Sequence, residues 1–385
     1  MQHTITLRTW TRPFLDSLQQ QGDALADTCV ALLREQHGMA QTSALFKRLD
    51  SNDDRAPVDA PPAFLDFLAA TGALPEGTDP DRLKHGAQTY MTRAFPVALI
   101  LLAKSLPAGY AAPNLTTILQ LSGQLERHPY KRTLGVLQMV INVANPRAFD
   151  PGGAAIITAQ KLRLLHASIR TIVRQLLPDY ASTYGVPVNQ EDMLATIMGF
   201  SYLVIEGLRQ LQAKLSRREE EDLYYMWRVF AELMGIDPDA IPEDVDDAAE
   251  FYQAYARRHF VAAVANPAGV KLAAADLRMM QQMMPRTLRW LGLTVIPRIY
   301  LNDLLGPEGC ARVGIARVRG YPLLKWLLRH LPMLWMQSWK AWDAGDPAMH
   351  EALSQLVFQG MIHREYDGAV TFTLPKTLAD LQQLA

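Results

Sequence analysis

The chain is poor in the residues and motifs that many enzyme classes require. Its 385 residues include two cysteines, Cys29 and Cys310, in unrelated contexts. This excludes a disulfide framework and a cysteine-rich zinc site. The sequence also lacks His-Glu-x-x-His, a phosphate-cradling glycine loop and Gly-x-Ser-x-Gly. These absences argue against a metalloprotease, a nucleotide-binding enzyme and an esterase.

Charge of one sign and long apolar runs are scarce as well. The sequence has 38 Lys and Arg against 39 Asp and Glu, a formal net charge of −1. It has no surplus of positive charge to attract nucleic acid, so no nucleic-acid partner is expected. The apolar run 94–103 is too short to span a bilayer. The first residues show no signal-peptide pattern, and we expect a soluble, cytoplasmic protein.

Helical periodicity is what the sequence has in abundance. It dominates residues 13–235, with a break at Gly22-Asp23, a helix start at 189–192, and long helices expected over 81–106 and 193–215. Strand signals are scarce before residue 360. Residues 361–374 then alternate around an Asp-Gly pair, which is typical of a β-hairpin. The sequence therefore predicts an all-α core closed by a short C-terminal hairpin.

One helix carries a histidine in its apolar seam. His166 stands where a leucine would be expected, in a seam of residues spaced by four and three that runs from Ala155 to Leu176. Arg163 and Arg170 lie one turn to either side of it. A buried imidazole between two cations suits an iron cofactor that carries negative charges, such as haem with its propionates. Because no Cys-x-x-Cys-His motif occurs, such a haem would be held non-covalently.

The same pattern has a simpler interpretation. A histidine on an apolar face is often a core residue that is hydrogen-bonded to a backbone carbonyl. The two arginines are then solvated, or paired with acids from another helix. Spacing alone leaves both interpretations of His166 open.

Several segments together resemble the latex-clearing proteins, which are haem b rubber oxygenases, and the wider MpaB-type oxygenases. The resemblance covers roughly residues 15–320. It rests on the order and spacing of several short matches rather than on one specific motif. The segments that carry it include Gly22-Asp23 to Asp27, Leu74-Pro75 to Gly86, Arg163 to Arg170, Asn189 to Asp192, and Tyr225 to Ile236.

The resemblance implies a globin-like helical core that holds one haem b. His166 falls on the family's proximal iron ligand, Arg163 and Arg170 on its flanking arginines, and Arg132 on a further arginine near the haem. The family binds O₂ at the iron and cleaves a carbon–carbon double bond of a polyisoprene. By the same resemblance, residues 1–320 form the helical haem-binding domain, and residues 321–385 form an extension packed on it.

The sequence departs from the family at the positions opposite the histidine. Thr116 stands where the family has a glutamate proposed as a base, Gly135 where it has a lysine, and Val136 where it has a threonine. Thr133 and Lys131 lie nearby, and together with Thr116 they are the candidate catalytic residues. A hydroxyl cannot accept a proton near neutral pH as a carboxylate does. The departure at Thr116 therefore argues against rubber cleavage itself.

The segment 311–342 combines six Lys or Arg and no acid with four of the seven tryptophans. This composition is typical of a helix lying in a membrane surface, and residues 321–342 would make such a peripheral contact. The other interpretation is a helical cap whose tryptophans fill the core while its cations stay hydrated.

The sequence thus predicts a haem b-dependent oxygenase for a hydrophobic or unsaturated small molecule and O₂. Three alternatives stay open: a haem peroxygenase or isomerase, a non-catalytic haem or gas-binding protein, and a helical relative that has lost haem. The substrate and the oligomeric state are left undetermined.

Overall fold

The computed structural model describes residues 10–47, 60–122, 129–150, 153–284 and 286–323. Throughout these residues the regular secondary structure is helical, which confirms the all-α prediction for them. The predicted hairpin at 361–374 and the membrane contact at 321–342 fall wholly or largely outside them. In chain order the helices are α1 (Arg12–Gln19), α2 (Ala24–Lys47), α3 (Pro62–Thr71), α4 (Pro80–Thr92), α5 (Ala94–Ile100), a π-helical turn (Leu101–Ser105), α6 (Leu106–Gly109), α7 (Pro113–Ser122), α8 (Pro129–Ala144), α9 (Ala155–Leu176), α10 (Tyr180–Tyr184), α11 (Gln190–Phe200), α12 (Tyr202–Gln210), α13 (Arg217–Leu233), α14 (Val245–His259), α15 (Pro267–Met283), α16 (Arg286–Trp290), α17 (Ile296–Leu304) and α18 (Gly306–Arg312).

Polar caps fix where several of these helices begin. The Asn189 side chain accepts a hydrogen bond of 2.9 Å from the backbone N–H of Asp192, so the predicted helix start at this motif is confirmed. Ser216 and Glu219 form a reciprocal capping box at α13. Such caps satisfy backbone N–H groups that have no partner within the helix.

Both long helices expected from the sequence are broken. The stretch 81–106 bends by 78° between Pro80–Thr92 and Ala94–Gly109. The stretch 193–215 breaks at Ser201, whose φ of −109° and ψ of −85° lie outside the helical region. The two single helices were therefore wrong predictions. Apolar spacing continues across each break because the helices on both sides are buried, and periodicity alone does not register the bend.

None of the described helices is by itself long and apolar enough to cross a membrane. The bent pair Pro80–Thr92 and Ala94–Gly109 reaches the length and apolar composition of a membrane span only when both helices are counted together.

The crossing of α4 and α13 lies at the centre of the core. A Cβ atom added to Gly86 would lie 2.0 Å from the backbone oxygen of Asp222, so the two helices approach closely only because this residue is glycine. Trp227 on α13 is fully buried. Its ring stacks on Phe200 with centroids 5.2 Å apart and contacts Tyr90 of α4. The crossing therefore belongs to the main hydrophobic cluster, and a second, smaller cluster joins α2, α3 and α9.

Packing among the helices positions the candidate site. Helix α9, which carries His166, packs against α2, α8 and α13. Helices α7 and α8 both pack against α15. The helices that carry the sequence-predicted positions are therefore linked by packing, α7 and α8 through α15 and α8 with α9 directly.

Candidate functional site

His166 lies in the middle of α9, the helix that its spacing predicts. The residue is half-buried, as are Leu162 and Ile169, which precede and follow it by about one turn. Its Nδ1 atom is buried, so the accessible surface of the residue belongs to its other atoms. Leu176, the last residue of the predicted seam, is exposed. The seam is therefore buried at its beginning and partly open around the histidine.

The flanking Arg163 is more deeply buried than the histidine itself. Its Nε donates to Asp23 Oδ2 at 2.7 Å, and its Nη2 donates to Asp23 Oδ1 at 2.9 Å. A third bond runs from Nη1 to the backbone oxygen of Leu233 on α13, at 3.3 Å. This two-pronged ion pair joins α9 to the segment that precedes α2.

Arg170 repeats the arrangement two turns further on. The side chain has no exposed surface, and its Nε donates to Asp27 Oδ1 at 2.7 Å. Its Nη1 donates to the backbone oxygen of Val188 at 3.2 Å. Burial of a guanidinium requires a carboxylate because an unpaired charge is strongly disfavoured away from water. For both arginines the structure therefore shows the pairing with acids from another helical segment that the sequence left open.

The role of Arg163 and Arg170 toward a cofactor stays a prediction. Their guanidinium groups form ion pairs with Asp23 and Asp27, and these ion pairs hold the helix that carries the histidine in place. Sequence reasoning matched the Gly22-to-Asp27 segment to the family but did not pair it with α9. The partners are separated by 140 and 143 residues in the chain, and single-sequence spacing carries no signal over that range.

Helix α8, which packs against α9, carries Thr133 and Gly135. The Oγ1 of Thr133 donates to Met279 Sδ of α15 at 3.3 Å. Gly135 is buried, yet outside its own helical surroundings no described atom lies within 4 Å of the position that a Cβ would take. This open space stands where the family carries a lysine side chain. Lys131 and Arg132 also belong to α8, but their side chains lie outside the described part, so their roles stay predictions.

Thr116 occupies a fully buried position on α7. Its hydroxyl donates to Asn266 Oδ1 at 3.0 Å, and the same oxygen caps α15 by accepting from Gly269 N. The hydroxyl is thus held in the cap that joins α7 to α15. This geometry does not test the predicted catalytic role of Thr116. It shows a structural role, because the hydroxyl joins α7 to the cap of α15.

Sequence reasoning missed Asp276 on α15. This carboxyl side chain is buried, and its Oδ2 has no hydrogen-bond partner among the described residues. Burial raises the pKa of Asp276 well above the ordinary value of a carboxyl. The Met279–Met280 cluster beside it reads as ordinary core filling, which gave no reason to single out the acid.

The described residues form no site for a metal ion held by protein side chains alone. Within them no group of three or more His, Cys, Asp and Glu side chains is close enough to hold a metal ion. A lone histidine such as His166 fits only a group that brings its own remaining ligands, as haem does. The partly open apolar stretch at the histidine and the open space at Gly135 are compatible with such a flat group.

The fold is that of a known class of helical proteins. A solved structure of latex clearing protein in the closed state matches with a TM-score of 0.69, over 89% of this chain and 90% of that chain, at 20% sequence identity. This likeness concerns the fold alone.

The family follows from the sequence match. The family model described as ER-bound oxygenase mpaB/B′ and rubber oxygenase, catalytic domain, matches residues 83–356. The chain belongs to this family. The rubber oxygenase of Streptomyces sp. (strain K30) is 24% identical over 230 residues, which are 59% of this chain and 56% of that protein. The alignment thus spans just over half the length of this relative.

Proposed function

We propose that this chain is a haem b-dependent oxygenase for a hydrophobic, unsaturated substrate, with His166 as the iron ligand and O₂ bound on the opposite side. The observation that carries the proposal is the half-buried His166 on α9, a helix that packs against α8, where no described atom lies within 4 Å of a Cβ placed on Gly135. Family membership supports the oxygenase class. A globin-like grouping of the helices around the cofactor belongs to the same proposal.

His166 would hold the iron through Nε2. Its Nδ1 atom is buried in the protein, which leaves Nε2 as the nitrogen for coordination. When bound, haem supplies the iron chemistry that activates O₂. The protein contributes orientation, and the buried pairs Arg163–Asp23 and Arg170–Asp27 fix the rotation and height of α9.

The other side chains of the region would exclude water and provide few polar groups. Leu162 and Ile169 give the histidine apolar neighbours on its own helix. Thr133 offers a hydroxyl on α8 whose present acceptor is a weak one, the thioether of Met279. Arg132 remains the arginine expected to meet the haem propionates. An apolar site with isolated hydroxyls suits a greasy substrate better than a charged one.

A second candidate is a haem protein of different activity, either a peroxygenase or isomerase or a gas-binding protein. The observation that favours it is Thr116. Its hydroxyl is buried, donates to Asn266 and has no carboxylate chemistry to offer as a base. Family-type cleavage that depends on a base at this position is therefore not expected from Thr116.

The first test is the absorption spectrum of the purified protein before and after haem addition, with and without dithionite. We expect a Soret band whose position changes on reduction. His166→Ala should lose most of the bound haem, whereas the control His85→Ala on α4 should keep it. Absence of a Soret band after haem addition would rule out the cofactor, and normal haem binding by His166→Ala would rule out the ligand.

Oxygen uptake separates the two candidate functions. With haem bound, an oxygenase should consume O₂ when an unsaturated hydrocarbon is added and should form carbonyl products. A gas-binding protein should bind O₂ reversibly without net uptake. A peroxygenase should turn over only when peroxide is supplied.

A further inference from the structure

Helix α16 and the residue after it present an exposed apolar surface, which we call the α16 tip (residues 286–291). Trp290 is 85% exposed, and the adjacent Leu291 is 60% exposed. Arg286 and Arg289 on the same short segment are exposed as well. A large aromatic ring is seldom left in water, and an exposed apolar pair bordered by cations is typical of a surface that binds a partner.

Hydrogen bonds on both sides hold the α16 tip in place. Gln281, in the last turn of α15, donates from Nε2 to the backbone oxygen of Thr294 at 2.9 Å. The backbone N–H of Leu291 donates to the oxygen of Thr287 at 3.0 Å. Thr287, Trp290 and Leu291 therefore lie on one side of the tip, at the three- and four-residue spacing of a helix face. The apolar pair is thus presented on a defined backbone.

The charges around the tip are all of one sign. The stretch 277–302 contains no Asp or Glu and four arginines, Arg278, Arg286, Arg289 and Arg298. The first three of them are exposed. The tip therefore combines hydrated cations with exposed apolar side chains, and it complements a surface that is anionic outside and apolar beneath.

We propose that the α16 tip docks on an anionic lipid surface. Trp290 and Leu291 enter the boundary between the headgroups and the acyl chains, where a tryptophan is favoured because its ring is apolar and its N–H can hydrogen-bond. Arg286 and Arg289 contact the lipid phosphates, which match the donor geometry of a guanidinium group. This inference goes beyond the proposed function and makes no use of haem.

A lipid surface fits the tip better than a protein partner does. A stable protein interface buries about 800 Å² on each side, whereas the exposed apolar part of the tip consists of two side chains. A membrane needs only a few inserted side chains when cations add their attraction to anionic lipids. The segment 324–342, next in the chain, is itself cationic, with Lys325, Arg329 and Lys340 and no acid, so its charge does not complement the tip.

The test uses the full-length protein and two kinds of vesicle: phosphatidylcholine alone, and equal parts of phosphatidylcholine and phosphatidylglycerol. A polarity-sensitive dye is attached to Thr287→Cys, an exposed position on the same side of the tip as Trp290. Cys29 and Cys310 are both buried, so a thiol-reactive dye is directed to position 287. Binding is measured by cosedimentation with the vesicles and by the emission of the dye.

The variants separate the apolar contact from the charges. Trp290→Ala removes the ring, and the double variant Arg286→Gln with Arg289→Gln removes two cations. The control for the ring is Val264→Ala, which is 88% exposed and precedes the other end of α15, a helix of 17 residues and about 25 Å. The control for the charges is Arg147→Gln, whose side chain is 86% exposed. Circular dichroism confirms that each variant is folded.

We expect wild type to bind the vesicles that contain phosphatidylglycerol at least tenfold more tightly than phosphatidylcholine alone, and salt should reduce this preference. The dye should emit at shorter wavelength on binding. Trp290→Ala should weaken binding to both kinds of vesicle by about tenfold. The double arginine variant should lose affinity for the anionic vesicles only, by about fivefold for each arginine. Both controls should bind as wild type.

Absence of vesicle binding by wild type would overturn the proposal. So would binding that is unchanged in Trp290→Ala and in the double arginine variant, since the contact would then lie elsewhere, as in the contact predicted for residues 321–342. A dye that already emits at short wavelength without lipid, and that vesicles leave unchanged, would show that the acidic segment 343–385 or a second copy covers the tip, which also overturns it. Absence of haem would refute the proposed oxygenase without affecting these measurements, so the two failures are distinguishable.

Discussion

Nε of Arg163 lies 2.7 Å from Asp23 Oδ2, and both side chains are almost completely withdrawn from solvent. The pair joins the helix of His166 to a residue 140 positions earlier in the chain. Together with the pair of Arg170 and Asp27 it joins the histidine helix to the N-terminal segment at two places. The arginines that flank the histidine therefore stabilise the position of its helix through these ion pairs.

Removing one partner of this ion pair should strongly lower the free energy of unfolding. Asp23→Ala leaves the Arg163 guanidinium buried without its carboxylate, and such losses cost about 3–5 kcal/mol. Urea denaturation followed by circular dichroism measures the change in the free energy of unfolding. The double variant Asp23→Leu with Arg163→Met removes both charges and should recover much of that loss. A small effect of Asp23→Ala, below about 1 kcal/mol, would show that the pair is hydrated in solution.

Two helical glycines should respond in opposite ways to alanine. Gly86→Ala places a Cβ 2.0 Å from a backbone oxygen across the α4–α13 crossing, so the helices must separate, at a cost of about 1–3 kcal/mol or more. Gly135→Ala meets no described atom and gains helix propensity of about 0.5–1 kcal/mol. Thermal denaturation of the two variants provides the comparison, with each acting as the control for the other. A destabilised Gly135→Ala would contradict the open space on α8.

Much of this fold follows from periodicity and capping. The α9 helix, the start of α11 at Asn189 and the break near Gly22 are local features, and their residues predict them. The breaks at Arg93 and Ser201 are not predicted by the local pattern, since a buried helix lies on each side of them. Apolar patterning has the same spacing on both sides of such a bend.

The candidate site also has features that the sequence predicts and features that it does not. His166 is predictable because a histidine in an apolar seam is a local anomaly. The burial of Arg163 and Arg170 is not, because it depends on Asp23 and Asp27, which tertiary structure alone brings near. Asp276 has no sequence signal at all, since an acid on an otherwise apolar helix reads as a solvated residue until its burial is seen.

Filling the space at Gly135 should separate cofactor binding from folding. Gly135→Phe puts a large side chain into a buried region where no described atom contacts a modest one. We expect haem uptake, followed by the Soret band, to fall at least tenfold while the thermal midpoint changes little. Gly135→Ala is the matched control and should take up haem normally. Normal uptake by Gly135→Phe would place the cofactor away from α8.

The buried carboxyl of Asp192 should make stability depend on pH. Burial is the main cause that raises the pKa of Asp192, from 3.8 to about 6, and hydrogen bonds from Tyr255 and Asn114 offset it in part. Because the folded state holds the proton more tightly than the unfolded state, this group stabilises the fold below its unfolded pKa. That contribution is lost as pH rises toward about 6, and amounts to on the order of 2–3 kcal/mol.

The measurement is the urea midpoint of wild type and Asp192→Asn at several pH values between about 4 and 7, a window set by the unfolded and folded pKa values. Some carboxyls act in the opposite direction: the pKa of Asp222 is lowered because Arg82 and His85 donate hydrogen bonds to it. The informative quantity is therefore the difference between the two proteins. Asp192→Asn cannot titrate, so its stability relative to wild type should rise as pH increases from about 4 to 6 and then level off. A difference that is constant with pH would mean that Asp192 titrates normally and that its network is open to water.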